Sequence, residues 1–114
     1  MLNGRSKIYA FDFDGTLCQE AYPGIGRPNR RMIHLAKKLK RNGHKLILWT
    51  CRCGQPLEEA IAWCKLQGIT FDAINSNLPE TLQKYGTDSR KVTADYYIDD
   101  KGVGTLPILL SLLL

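Results

Sequence analysis

Residues 8–17 read Ile-Tyr-Ala-Phe-Asp-Phe-Asp-Gly-Thr-Leu, an apolar run that ends on two carboxylates, Asp12 and Asp14. A buried strand has no ordinary reason to finish on paired like charges. Two aspartates so placed repel each other and lose hydration unless a cation or a shared proton compensates them. Their position defines what to look for in the rest of the chain: partners for two acids at the tip of a first strand.

Further apolar runs of β type fall at about 45–50 (KLILWT), 71–74 (FDAI) and 95–99 (DYYID), with the first at 7–12. Between the first two, Pro28 and Asn29 open an amphipathic segment in which Met32, Leu35, Ala36 and Leu39 recur at helical spacing and Gly43 closes. A second helix follows Gln55-Pro56, with Leu57, Ile61 and Cys64 as its apolar stripe and Gly68 at its end. Glu58 and Glu59 are expected in its first turn, near the positive end of the dipole. A short helix is expected over Pro79–Tyr85. Strands alternating with helices predict βαβ units, a parallel sheet and one α/β domain over residues 1–114.

Ligands bind beyond the carboxyl ends of the strands in such sheets. The polar residues at those ends are Asp12 and Asp14, then Thr50 and Arg52, then Asn75-Ser76-Asn77, then Asp99 and Asp100. Four acids, a hydroxyl and a cation are thus expected at one sheet edge. Carboxylates without histidine or thiolate select Mg²⁺ over zinc. Gly15 lets the backbone turn sharply and approach a ligand, and Thr16 can fasten that turn. Arg52 suits a phosphate contact or an ion pair equally well. With Gly15 and Cys51 it makes the expected substrate-binding set. Asn75 and Asn77 suit substrate or local turns, Asp95 a strand start, and Trp49 and Trp63 the core.

The blocks IYAFDFDGTL, LILWT and ADYYIDD resemble the first, second and fourth motifs of the haloacid dehalogenase-like (HAD) hydrolases, in that family's order and over residues 7–102. The resemblance implies a Rossmann-like three-layer sandwich with strand order 3-2-1-4. The short connections leave no room for a cap domain. It further implies that Asp12 is the nucleophile of an Mg²⁺-dependent phosphatase working through an aspartyl-phosphate. Asp14 would be general acid and then base, with its carbonyl on the metal. Thr50 would bind phosphoryl oxygens. Asp99 and Asp100 would complete the metal site with Asp12 and Asp14. Lys91 would be the third-motif lysine, with Lys84 and Lys65 as alternatives. An uncapped site suits a small phosphorylated molecule or a polymer end.

The net charge is +5, and the stretch from Ala21 to Leu57 carries no acid. Its basic residues fall on the outer face of the first helix, which reads mainly as a solvated surface and only weakly as a nucleic-acid contact. A nucleic-acid-binding module would leave the carboxylates unexplained. A signalling receiver domain would place paired acids first and lysine last, the reverse of the order here. A phosphotransferase or mutase with the same nucleophile is the nearest alternative. Four irregularly spaced cysteines and no secretory h-region fit reduced thiols in the cytoplasm. Cys51 and Cys53 lack the further ligands a zinc site needs. The tail LPILLSLLL is too short for a membrane span, which takes roughly 20 apolar residues. It is expected to pack on the core or on a second copy of the chain.

Overall fold

The alternation of strand and helix expected from the sequence is the one the chain adopts. The computed structural model describes residues 6–80 and 94–99. In order these form β1 (Ile8–Phe11), α1 (Arg30–Arg41), β2 (Lys45–Leu48), α2 (Gly54–Leu66), β3 (Ala73–Ile74) and β4 (Tyr96–Ile98). The strands make one sheet in the order β3-β2-β1-β4, and every neighbouring pair is parallel. This is a Rossmann-like α/β fold, with β1 and β2 at the centre.

Alternation along β1 divides the sheet into two faces. Tyr9 and Phe11 enter the larger core with Met32, Leu35 and Leu39 of α1 and Ala60 and Cys64 of α2. Right-handed crossovers explain why both helices share that face, since β1, β2 and β3 step across the sheet in one direction. Ala10 and Ile47 turn to the opposite face, where Leu78 packs on them. The chain has therefore changed face by the end of β3.

Asn29 caps α1, its side chain accepting from the Met32 N–H at 3.3 Å. Leu35 and Leu39 are almost wholly buried, and each such burial stabilises by about 1.5–3 kcal/mol. The exposed side of α1 carries Arg31, His34 and Lys37. Helix α2 differs from expectation: it begins at Gly54, so Glu58 and Glu59 stand beyond its first turn. β3 is also shorter than expected. Asp72 is drawn out of it by Lys40 at 2.6 Å and by the Leu46 N–H at 2.8 Å.

Two polar groups, the buried His44 and the exposed Asp95, fasten the opposite end of the sheet. His44 lies in the core margin, edge-on to Tyr9, and its Nδ1 accepts from the Lys7 N–H at 3.0 Å. Burial, and then the Lys7 charge, push His44 below the usual histidine range. Asp95 accepts from the Ile8 N–H at 2.7 Å and so starts the β1–β4 pairing, as expected. Among the described residues no helix is long and apolar enough to cross a membrane. Most of the expected third helix lies outside the described residues, as do Lys84, Lys91, Asp100 and the apolar tail.

Candidate active site at the strand tips

The register places the reactive groups. Phe11 is paired with Leu48 on one side and with Ile98 on the other. One residue further along, the Asp12 N–H donates to the Ile98 carbonyl at 2.9 Å and the Trp49 N–H to the Phe11 carbonyl at 2.8 Å. Trp49, Asp12 and Asp99 thus follow the paired residues directly and form one row across the tips of β2, β1 and β4. Adjacent strands are about 4.8 Å apart, so Asp12 and Asp99 are neighbours. Asp12 Oδ1 also accepts from the Phe13 N–H at 2.8 Å, which orients the carboxylate.

This row edges a cleft of about 510 Å³ that is also lined by Thr50 and Cys51. Ala10 lies at its floor and Tyr97 at its side, two residues below the acids. Trp49 is 37% exposed and forms a wall rather than part of the core. Trp63 does pack on the core, edge-on to Phe13 at 5.5 Å between ring centres.

Asp14 has a different setting. Gly15, at φ +83°, turns the chain, and its N–H donates to the Cys18 carbonyl at 2.9 Å. The Thr16 and Leu17 N–H groups both donate to Phe13. The Thr16 hydroxyl is buried with no hydrogen-bond partner, so the turn is held by backbone and not by that side chain. Beyond it the chain forms a hairpin, closed by Gln19 N–H to Arg27 at 2.8 Å and Asn29 N–H to Leu17 at 2.9 Å. Gly26 is required there because a Cβ would run into the Gln19 carbonyl.

Arg52 ties turn and hairpin together. Its Nε and Nη2 each donate to Asp14 at 2.8 Å, making a bidentate pair. Nη2 also donates to Gly24 at 2.6 Å, and Nη1 to Pro23 at 3.1 Å and Pro56 at 3.3 Å. A guanidinium has five N–H donors, and these bonds use all of them. The rings of Phe13 and Tyr22 flank it at 5.0 and 5.1 Å. The hydrogen bonds from Arg52 to Asp14 raise its proton affinity further, and the side chain is 1% exposed. Arg52 therefore has no donor to offer a substrate. The ion pair is buried where a surface one was expected, and with its donors engaged Arg52 does not take its expected place among the substrate-binding residues.

Thr50 is set by neighbours on two strands. Its N–H donates to Asn75 Oδ1 at 2.7 Å, and its Oγ1 accepts from the Arg52 N–H at 3.1 Å. Thr50 also lines the cleft. Asn75 adopts φ +52° and donates its N–H to Leu48 at 2.8 Å, so it shapes the β2 and β3 tips. Cys51 and Cys53 are exposed free thiols. Lys65 is in the last turn of α2 and does not line the cleft.

Among the described residues no group of three or more histidine, cysteine or acidic side chains forms a metal site. The Asp14 carboxylate is committed to Arg52, and Asp100 is outside the described residues. What the cleft presents is a pair of carboxylates, Asp12 and Asp99. Two hard oxygen ligands with open positions fit Mg²⁺, which completes its shell with water and substrate phosphate.

The fold matches a solved structure described as that of the conserved protein coded by locus from Bacteroides thetaiotaomicron. The TM-score is 0.81, and the identity is 38% over 96% of this chain and 90% of that one. The chain belongs to that protein's family. No family model and no curated protein matches the sequence. The kinship speaks to the fold, and the chemistry rests on the residues of the cleft.

Proposed function

We propose that the cleft hydrolyses phosphomonoesters, with Asp12 as the nucleophile. The observation that carries this reading is the shared row of Asp12 and Asp99, with the Thr50 hydroxyl in the same cleft. In the first step an Asp12 oxygen attacks phosphorus and the ester P–O bond breaks, the electron pair leaving with the alcohol oxygen. In the second, water attacks the aspartyl-phosphate at phosphorus. The acyl P–O bond breaks, the carboxylate returns and inorganic phosphate leaves. Splitting the displacement in this way lowers each barrier.

The Phe13 N–H holds the Asp12 carboxylate in place, and Thr50 donates to a phosphoryl oxygen. Asp12 and Asp99 would hold Mg²⁺, which would supply the positive charge that an anion beside two carboxylates needs. Lys91 remains the proposed third-motif cation, and Asp100 a further proposed ligand. Asp14 keeps the proposed role in proton transfer to and from the leaving oxygen. Since both of its oxygens accept from Arg52, that role requires one of the two bonds to open. Arg52 is in this reading a positioning residue. It sets Asp14 and anchors the hairpin tip at Pro23 and Gly24.

Replacing Asp12 by Asn tests the assignment. Mg²⁺-dependent phosphate release from p-nitrophenyl phosphate should fall by at least about a thousandfold while the fold is kept. Turnover within tenfold of the wild type would refute the nucleophile.

A further inference from the structure

Helix α1 reads RRMIHLAKKLKR and holds six cations and no acid, more than the +5 net charge of the whole chain. Its apolar residues Met32, Ile33, Leu35, Ala36 and Leu39 are buried. At about 100° per residue, Arg30, Arg31, His34, Lys37, Lys38 and Arg41 fall within an arc of about 120° on the other side. All but the half-buried Lys38 are exposed. The stripe runs about 17 Å along the helix. Arg27 of the hairpin extends it, since Arg27 and Arg30 line one depression. Among the described residues none of these cations joins an ion pair, whereas Lys40 pairs with Asp72 and Arg52 with Asp14. None of them lines the cleft at the strand tips.

A merely solvated helix face intersperses acids that pair with cations three or four residues away. Here Lys37 and Lys38 each meet Arg41 at that spacing. Arg30 and Arg31 stand in the first turn, at the positive end of the helix dipole, with no acid beside them. Both arrangements cost stability, and an external polyanion relieves both. The stripe's own chemistry narrows that polyanion. It presents no apolar side chain and no large aromatic ring. It therefore lacks the apolar face that a membrane-surface helix inserts and the anchors of a protein interface. It equally lacks a platform for stacking unpaired bases. Duplex DNA needs none of these. It carries one negative charge per roughly 1.7 Å of axis, about ten along the stripe, and cations on its phosphates suffice to hold it. We propose that the outer face of α1, with Arg27, binds duplex DNA through its phosphates without reading its sequence. The surface is separate from the cleft and does not depend on the phosphatase reading.

The test titrates the full chain into a fluorescently labelled duplex of about 20 base pairs and reads anisotropy over about 50 to 200 mM KCl. Binding should be micromolar at the low-salt end. The logarithm of affinity should fall against that of salt with a slope of about −4, roughly a hundredfold over the range. A duplex of scrambled sequence should bind within about twofold. Arg31→Gln combined with Lys38→Gln should weaken binding about tenfold and make the slope shallower by about two, with the circular dichroism of the chain unchanged. No binding at low salt, a slope near zero, or full affinity in the double variant would overturn the proposal. Tighter binding of the single strand would overturn it in favour of base stacking. Tighter binding of polyglutamate or of anionic phospholipid vesicles would do so in favour of an acidic protein or a membrane.

Discussion

Asp12 and Asp14 are two residues apart, yet they belong to different regions of the molecule. Asp12 stands at the cleft in a row with Asp99, with the Phe13 N–H among the groups that orient it. Asp14 lies past a left-handed glycine, gripped on both oxygens by a guanidinium that is itself saturated. One carboxylate is arranged to meet something from outside, and the other to hold the protein together. The difference teaches that like residues in one motif divide their duties by what faces them. Here that is an open cleft for Asp12 and a buried cation for Asp14.

The contrast is broken most forcefully at Arg52. Arg52→Met removes a 1% exposed cation and strands Asp14 and three carbonyls. Unfolding free energy should fall by about 3–5 kcal/mol, read from urea denaturation. Asp12→Asn should change it by less than about 0.5 kcal/mol, and a comparable loss at both sites would erase the distinction. Adding Asp14→Leu to Arg52→Met should recover only part of the loss, because Pro23, Gly24 and Pro56 still lack their donor.

A smaller effect concerns pH. The folded chain holds His44 below its ordinary range, so the unfolded chain takes up the proton first as pH falls past about 6.5. The neutral-histidine contribution is full above that pH and is lost as pH falls through the lowered folded value. Wild-type denaturation midpoints should therefore drop as pH falls below about 6.5, and His44→Gln should flatten that drop. Persistence of the full drop in the variant would place the titrating group elsewhere. Smallest is Thr16, whose buried hydroxyl has no partner. Thr16→Val should raise stability by about 1 kcal/mol, and a loss of that size would mean that the hydroxyl is satisfied in solution.

The sheet and α1 were legible because their signals are local: apolar runs, a four-residue helical stripe and an Asn29 cap. The meeting of Asp12 and Asp99 was legible too, since parallel strands bring their carboxyl ends to one edge, but the turn of Asp14 towards Arg52 was not. Arg52 was not. The sequence shows a cation after a strand, but its five acceptors come from a turn, a hairpin tip and a helix, and only folding brings these together. Trp49 was misread as core because it continues an apolar strand. β2 ends at Leu48, and the next residue is already in the cleft. β3 was overextended because nothing local shows that Asp72 is claimed by Lys40 from α1.

The central claim is that a covalent intermediate forms on Asp12. Its most direct test is acid quenching of the protein incubated with Mg²⁺ and an aryl phosphate, followed by peptide mapping. The account predicts a phosphoryl group on Asp12 that is absent from Asp12→Asn. A phosphoryl group on any other residue, or steady turnover with no phosphorylated peptide, would contradict it.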